Sequence, residues 1–258
     1  MNLAVGDITL QCGLLMTKNC ELTLSALALL ASASVCMAEP GELPIDWKLT
    51  YTHHRAQQER DGADLNLRGS REATVFWLGY YKRANEFEQT RGGLEQTLSF
   101  DWGKLLLSGQ AATHGFLGYA TQAEIGSGTV RPLIGFGRTN LKPYYNLNFD
   151  PNDMVTLGVV ADLPQSMRAS VYAIHDDRLG TGQTVIHAVL RTSGDAARRW
   201  TFDMAQRRGP LGDGGERVVR TGAGVTYDRA PYFGRVVYDP NANFSGHDML
   251  RVSFGARF

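Results

Sequence analysis

His247-Asp248-Met249-Leu250-Arg251-Val252-Ser253-Phe254-Gly255-Ala256-Arg257-Phe258 divides into two faces. Leu250, Val252, Phe254, Ala256 and Phe258 fall on one side, and Met249, Arg251, Ser253, Gly255 and Arg257 on the other. Side chains that alternate with a period of two belong to a β-strand. An exposed Phe with no tail behind it is a poor ending for a water-soluble domain. It suits a strand whose apolar face meets lipid.

The same alternation recurs upstream. Trp47, Leu49 and Tyr51 stand opposite Asp46, Lys48 and Thr50. Thr74, Phe76, Leu78 and Tyr80 form a second stripe. Leu94, Leu98, Phe100 and Trp102 form a third, opposite Glu95, Thr97, Ser99 and Asp101. Val155, Leu157 and Val159 follow, then Thr184, Ile186, Ala188 and Leu190, then Trp200, Phe202 and Met204, and finally Tyr232, Val236 and Tyr238. No helix-forming pattern of comparable length competes with them. A soluble β-sandwich and a membrane barrel both produce such stripes, with the apolar face turned inward in one and outward in the other. Aromatic residues near the stripe ends and charges in the middle of the opposite face favour the antiparallel transmembrane barrel.

The spacing of the connections agrees. Tight links at 163–166 and 228–231, and a slightly longer one at 193–198, alternate with longer Gly/Asp-rich links at 176–182, 209–215 and 240–246. Barrels with short turns on one rim and longer loops on the other show this alternation. Pairing 216–228 with 231–240 about their turn would set Arg220 opposite Asp239 and Gly224 opposite Arg235, all on the inner face. Between 84 and 150 the segments are short or interrupted by His114-Gly115, Pro132 and Pro143, and part of 139–153 reads as an outer loop. An even strand number brings both ends to one rim. We expect about twelve strands, within a span of roughly ten to fourteen.

The ending Leu250-Arg251-Val252-Ser253-Phe254-Gly255-Ala256-Arg257-Phe258 resembles the assembly signal of bacterial outer-membrane β-barrels. That resemblance implies a Gram-negative outer membrane, with its lipid and the barrel assembly machinery as partners, and Leu250, Val252, Phe254 and Phe258 as the signal. The N-terminal region fits export. Residues 22–35 are an apolar run of 14, too short to span a bilayer, preceded by Lys18 and followed by Cys36-Met37-Ala38 before Glu39-Pro40. Residues 1–38 therefore read as a cleaved signal peptide, with Met16 as an alternative start, and 39–258 as the barrel domain. Val35 stands where a lipidated Cys36 would need a small residue. All three cysteines, Cys12, Cys20 and Cys36, lie in the leader, so the mature chain can form no disulfide.

The 258 residues carry no net formal charge, with 29 Gly and 9 Pro, a composition that suggests neither disorder nor nucleic-acid binding. No other apolar run approaches the length of a transmembrane helix. Arginine usage is skewed, 21 Arg against 5 Lys. Alternation places Lys48, Arg191, Asp203, Arg220, Arg235, Asp239, Arg251 and Arg257 on the lumen face. A guanidinium can hold a carboxylate through two hydrogen bonds, so an arginine ladder suits anionic solutes. Alternatively these arginines pair with Asp203, Asp239 and other acids and fill a narrow barrel. In our hairpin Asp239 neutralises Arg220, leaving Arg235, Arg251 and Arg257 as the free charge.

Val130-Arg131-Pro132, Pro143-Tyr144-Tyr145-Asn146-Leu147-Asn148-Phe149-Asp150 and Val155-Thr156-Leu157-Gly158 resemble the middle of small porins for acidic oligosaccharides, the oligogalacturonate porin type. The resemblance implies a channel for passive passage of small, anionic solutes. A second class is a barrel enzyme acting at the outer rim, for which His175-Asp176-Asp177 and His187 near Asp203 are the candidates. No Ser lies at a matching spacing. A third is a structural barrel with a closed lumen. His53-His54 point to opposite faces and make no metal site, and the glycines at 126–128 and 209–215 lack phosphate-loop spacing. No cofactor is called for, and the oligomeric state is open.

Overall fold

The computed structural model describes residues 44–57, 61–146, 150–193, 198–212 and 215–258. The leader reading of residues 1–38, with its three cysteines, lies outside them. Fourteen strands form the wall: β1 (Asp46–Ala56), β2 (Gly62–Arg71), β3 (Thr74–Arg83), β4 (Phe87–Phe100), β5 (Gly103–Ala112), β6 (Phe116–Ile125), β7 (Val130–Thr139), β8 (Met154–Leu163), β9 (Met167–Asp176), β10 (Thr184–Ser193), β11 (Arg198–Pro210), β12 (Arg217–Arg229), β13 (Tyr232–Asp239) and β14 (Met249–Arg257). Each pairs antiparallel with its sequence neighbours, and β1 pairs with β14, so the sheet is a closed barrel. Closure leaves no strand edge with unpaired backbone groups, the condition for a sheet in lipid.

The seam is tight. The amide of Trp47 donates to the carbonyl of Phe258 at 2.9 Å, and that of Phe258 to the carbonyl of Trp47 at 3.0 Å. At Gly255 a Cβ would lie 2.1 Å from the Leu49 carbonyl oxygen and 2.6 Å from the Phe233 ring. Only glycine lets β14 close on β1 there.

The strand count, fourteen, lies at the upper end of the expected span of ten to fourteen, two above its centre of about twelve. Of the doubtful segments between 84 and 150, 104–112, 115–125 and 129–138 are the paired strands β5, β6 and β7, whereas the described residues of 142–149 belong to no strand. Pro132 is accommodated because β7 pairs with β6 only from Leu133 onward, while Pro132 faces Val159 of β8 on the other side. Its missing N–H costs no ladder bond on the β6 side. The turn at Gly103 needs φ 144° and would bring a Cβ within 2.0 Å of the Glu124 carbonyl oxygen. The rim that carries residues 46 and 257 has short links such as Glu72-Ala73, Asp101-Trp102 and Ala230-Pro231, whereas the opposite rim has the long 140–153 and 240–248 segments.

The face assignments hold. Leu49, Leu78, Phe100, Trp102, Leu157, Phe202, Val236 and Phe254 are all exposed on the outside. Inside, half of the buried residues are polar or charged, and Arg91, Gln89, Asp64, Arg207 and Asp239 are almost fully enclosed. Among the described residues the one buried apolar cluster is Ala56, Ala242 and Met249, with Tyr145 against it. This is an inverted distribution, apolar outside and ionic within, as a lipid-embedded barrel requires.

One register differs. β12 and β13 pair with Gly224 opposite Val237 and Thr226 opposite Arg235, two residues from the expected alignment. A shift of two keeps every residue on its face, which is why alternation could not detect it.

Candidate functional site

The interior is organised by residues 140–146 and 150–153 of the β7–β8 connection, of which Tyr144, Asn146 and Asp150 line the lumen. Its base is clamped by Asp153, which accepts from the Thr139 amide at 3.2 Å, the Thr139 hydroxyl at 2.6 Å and Arg178 Nη1 at 2.8 Å. Asn140 ties it to the β5–β6 link, donating to the Gly115 carbonyl at 2.7 Å and accepting from the Leu117 amide at 3.1 Å. Gln89 of β4 then acts as a substitute strand: its Nε2 donates to the Pro143 carbonyl at 3.0 Å, and its Oε1 accepts the Tyr145 amide at 2.9 Å. Arg91 Nη1 donates to the Tyr145 carbonyl at 2.9 Å. The Tyr145 ring stacks on Tyr81 of β3 at 3.6 Å, with His54 of β1 edge-on at 5.9 Å. Tyr144 stacks on Phe116 at 4.1 Å and its hydroxyl donates to Gln110 at 3.2 Å. Burial raises both phenols above the ordinary tyrosine range, so they stay neutral.

Past residues 147–149, which lie outside the described ones, Asp150 stands at the other wall. Asp150 Oδ1 lies 3.2 Å from Nε2 of His187, on β10. β3 and β10 are seven strands apart in a ring of fourteen, so Tyr145 and Asp150 contact opposite walls of the lumen.

Around these residues lies a cavity of about 840 Å³ to which every strand contributes at least one residue. Lys48, Arg191, Asp203, Arg235 and Arg251 are among the residues that line it. Their pairing was less predictable. Asp239 is bound to Arg207 by both oxygens and to Arg251 at 3.2 Å. It does not meet Arg220, which is exposed and donates to the Val219 carbonyl, away from the cavity. Arg257 bridges Asp228 at 2.5 Å. Arg251 and Arg257 are therefore not free charges. Lys48 lies over the Phe233 ring at 4.2 Å, and among the described residues Arg191 and Arg235 have neither a hydrogen bond nor an ion pair. The remaining acids are occupied: Asp64 by Arg91, Glu95 by Arg68 at 2.6 Å, and Glu124 by Arg131 and Arg168.

Arg207, Asp64, Arg91 and Gln89 were missed. For Asp64, between Ala63 and Leu65, and Arg91, between Thr90 and Gly92, the alternation was present; Gln89 beside Glu88 and Arg207 between Gln206 and Arg208 carried no such contrast, and the sequence does not show which inward charges meet.

The rim-enzyme candidates separate. His175 Nδ1 lies 2.8 Å from the Thr184 hydroxyl, Asp176 accepts from the Arg178, Leu179 and Thr181 amides, and Asp177 is held by Arg138 at 2.7 Å. His187 does meet Asp203, at 3.0 Å through Nδ1, with Asp150 on its other nitrogen. An imidazole with a carboxylate on each nitrogen is saturated, with no nitrogen left to activate a nucleophile. His53 contacts Asp61 at 3.1 Å while His54 is enclosed in the lumen, on the opposite faces expected.

No protein-family model matches the sequence, and no curated protein matches it. Among solved structures, the chain is similar to the outer membrane protein Omp33 of Acinetobacter baumannii, with 9% identity over 83% of this chain and 98% of that one, and a TM-score of 0.55. It also overlaps the KdgM porin (7% identity, 82% and 99% of the two chains, TM-score 0.45) and a triple mutant of Rhodopseudomonas blastica porin (8%, 83% and 99%, TM-score 0.45). The chain has the closed antiparallel barrel fold of outer-membrane proteins.

Proposed function

We propose that the protein is a small outer-membrane channel for passive passage of small solutes, with a preference for anions. The observation that carries this reading is the lumen itself: a polar cavity of about 840 Å³, lined from all fourteen strands, inside a wall that is apolar outside. About eight strands are filled by their own side chains and about sixteen leave an open channel, so fourteen leave an aqueous lumen that an inward segment can narrow. Residues 1–38 serve as the export leader, the rim carrying the chain ends faces the periplasm, and Leu250, Val252, Phe254 and Phe258 form the assembly signal.

Lys48, Arg191 and Arg235 supply the anion preference, because the other inward cations described above have carboxylate partners. Purified barrel in planar bilayers is expected to show discrete conductances that favour anions. The preference should weaken with salt, since the screening length is only about 8–10 Å near physiological ionic strength. The Lys48→Gln, Arg191→Gln, Arg235→Gln triple variant should lose most of it. A silent wild type would favour the closed structural barrel; cation preference would remove the arginines from the pathway.

The assembly reading has its own test. Phe258→Ala keeps both backbone bonds to Trp47, so folded geometry should survive while recognition by the assembly machinery fails. In cells this variant is expected to accumulate as unfolded, protease-sensitive chain. Normal amounts of heat-modifiable barrel in the outer membrane would refute the signal.

A further inference from the structure

Beside the main lumen, where Asp150 meets β10, is a second recess of about 160 Å³. Its floor is made of residues with almost no side chain: Ala205 of β11, paired with Gly222 of β12, and Gly224, paired with Asp203. Glycine inside a strand weakens it and often marks a close approach by another group. At Gly222 the reason is local, since a Cβ would lie 2.7 Å from the Tyr238 carbonyl oxygen. At Gly224 the nearest obstacle is the Val237 side chain at 3.0 Å, which can shift. The space above Gly224 is thus kept clear without a backbone contact demanding it.

The walls carry both signs of charge with unused bonding capacity. On one side, Asp150 and Asp203 each spend Oδ1 on His187, and their Oδ2 atoms have no partner among the described residues. Tyr172 stacks on the imidazole at 4.9 Å and fixes it. On the other side stands Arg235, with no hydrogen bond or ion pair among the described residues. Next to it Arg207, only 2% exposed, binds Asp239 through its terminal nitrogens while its buried Nε has no acceptor. An unsatisfied buried guanidinium N–H is costly and calls for an acceptor.

We propose that this recess binds a small zwitterion of the α-amino acid kind, glycine or alanine in size. Its carboxylate accepts from Arg235 and Arg207 Nε, and its ammonium donates to the free oxygens of Asp150 and Asp203. A simple anion would face the two aspartates and a simple cation the arginines; a zwitterion satisfies both walls. The inference deepens the channel reading, because Asp150, Tyr172, Asp203, Gly224, Arg235 and Arg251 line the recess and the main cavity alike, which places the site on the pathway. Binding on a pathway has to be weak enough to release.

Titration calorimetry on the detergent-solubilised full barrel tests this independently of conduction. Glycine is expected to bind, and acetate and methylammonium to bind at least about tenfold more weakly, since each forfeits one set of charge-assisted bonds. Arg235→Gln and Asp203→Asn should each weaken glycine by about tenfold or more, and Ala205→Leu should abolish binding by filling the recess. Arg235 has no partner to lose, so that variant should fold, as heat-modifiable mobility will show. Acetate binding as well as glycine would make this a plain anion site, methylammonium binding as well a plain cation site, and no glycine binding at all would overturn the proposal. A barrel that binds glycine but never conducts keeps the site and loses the channel. One that conducts without binding glycine does the reverse.

Discussion

Replacing residues 141–152 with a short Gly-Ser linker is expected to raise single-channel conductance severalfold and to weaken ion selectivity. Its described residues contact walls seven strands apart, and those contacts are specific: the Gln89 amide with the Pro143 carbonyl and Tyr145 amide, the Tyr145 ring on Tyr81, and Asp150 on His187. A fourteen-strand wall without that segment leaves a lumen limited only by side chains. Keeping Asn140 and Asp153 preserves the clamp at the base, so the wall should fold as before. Tyr145→Ala is the milder version. It removes the stack but leaves Gln89 able to hold the backbone, and it should give larger, noisier currents as the segment loosens. If the linker variant conducts like the wild type, passage is limited elsewhere, and the ionic belt of the wall becomes the narrowest point.

The difference between what the sequence revealed and what it hid follows from period two. Alternation reports a face, and it reported faces correctly from Trp47 to Phe254, because an outward charge in lipid and an inward apolar stripe are both costly. It fixes register only modulo two. A two-residue shift between β12 and β13 left every face unchanged and moved Asp239 from Arg220 to Arg207 and Arg251. Strand number suffered for a related reason: Pro132 and His114-Gly115 look like breaks in isolation, and are tolerated because pairing stops or turns at those points. The approach of His187 to Asp203 was legible, since both face inward on adjacent strands. The third member, Asp150, was not, because it arrives on an irregular segment whose path depends on Gln89, Arg91 and Tyr81, distant in sequence. The readable part of the site is the wall; the unreadable part is whatever reaches across it.

Asp239→Ala should be the most destabilising single substitution in the wall, costing about 3–5 kcal/mol, because removing one member of a buried ion group leaves the others uncompensated. Asp239 is 2% exposed, and it holds Arg207 through both oxygens and Arg251 through one. Without it, two guanidinium groups remain close together in an enclosed part of the wall, and like-charge repulsion adds to lost hydrogen bonds. The midpoint of urea unfolding in lipid or detergent would measure the loss. Arg207→Leu combined with Asp239→Leu should recover much of it, since apolar replacement of a buried pair is often close to neutral. Arg220→Gln serves as the contrast. Arg220 is exposed and bonded only to a neighbouring carbonyl, so its loss should stay within about 0.5 kcal/mol. The two single variants thus decide the register of the β12–β13 hairpin. If Arg220→Gln destabilised the barrel while Asp239→Ala did not, the pairing drawn here would be shifted and the recess beside Gly224 would lose its arginine wall.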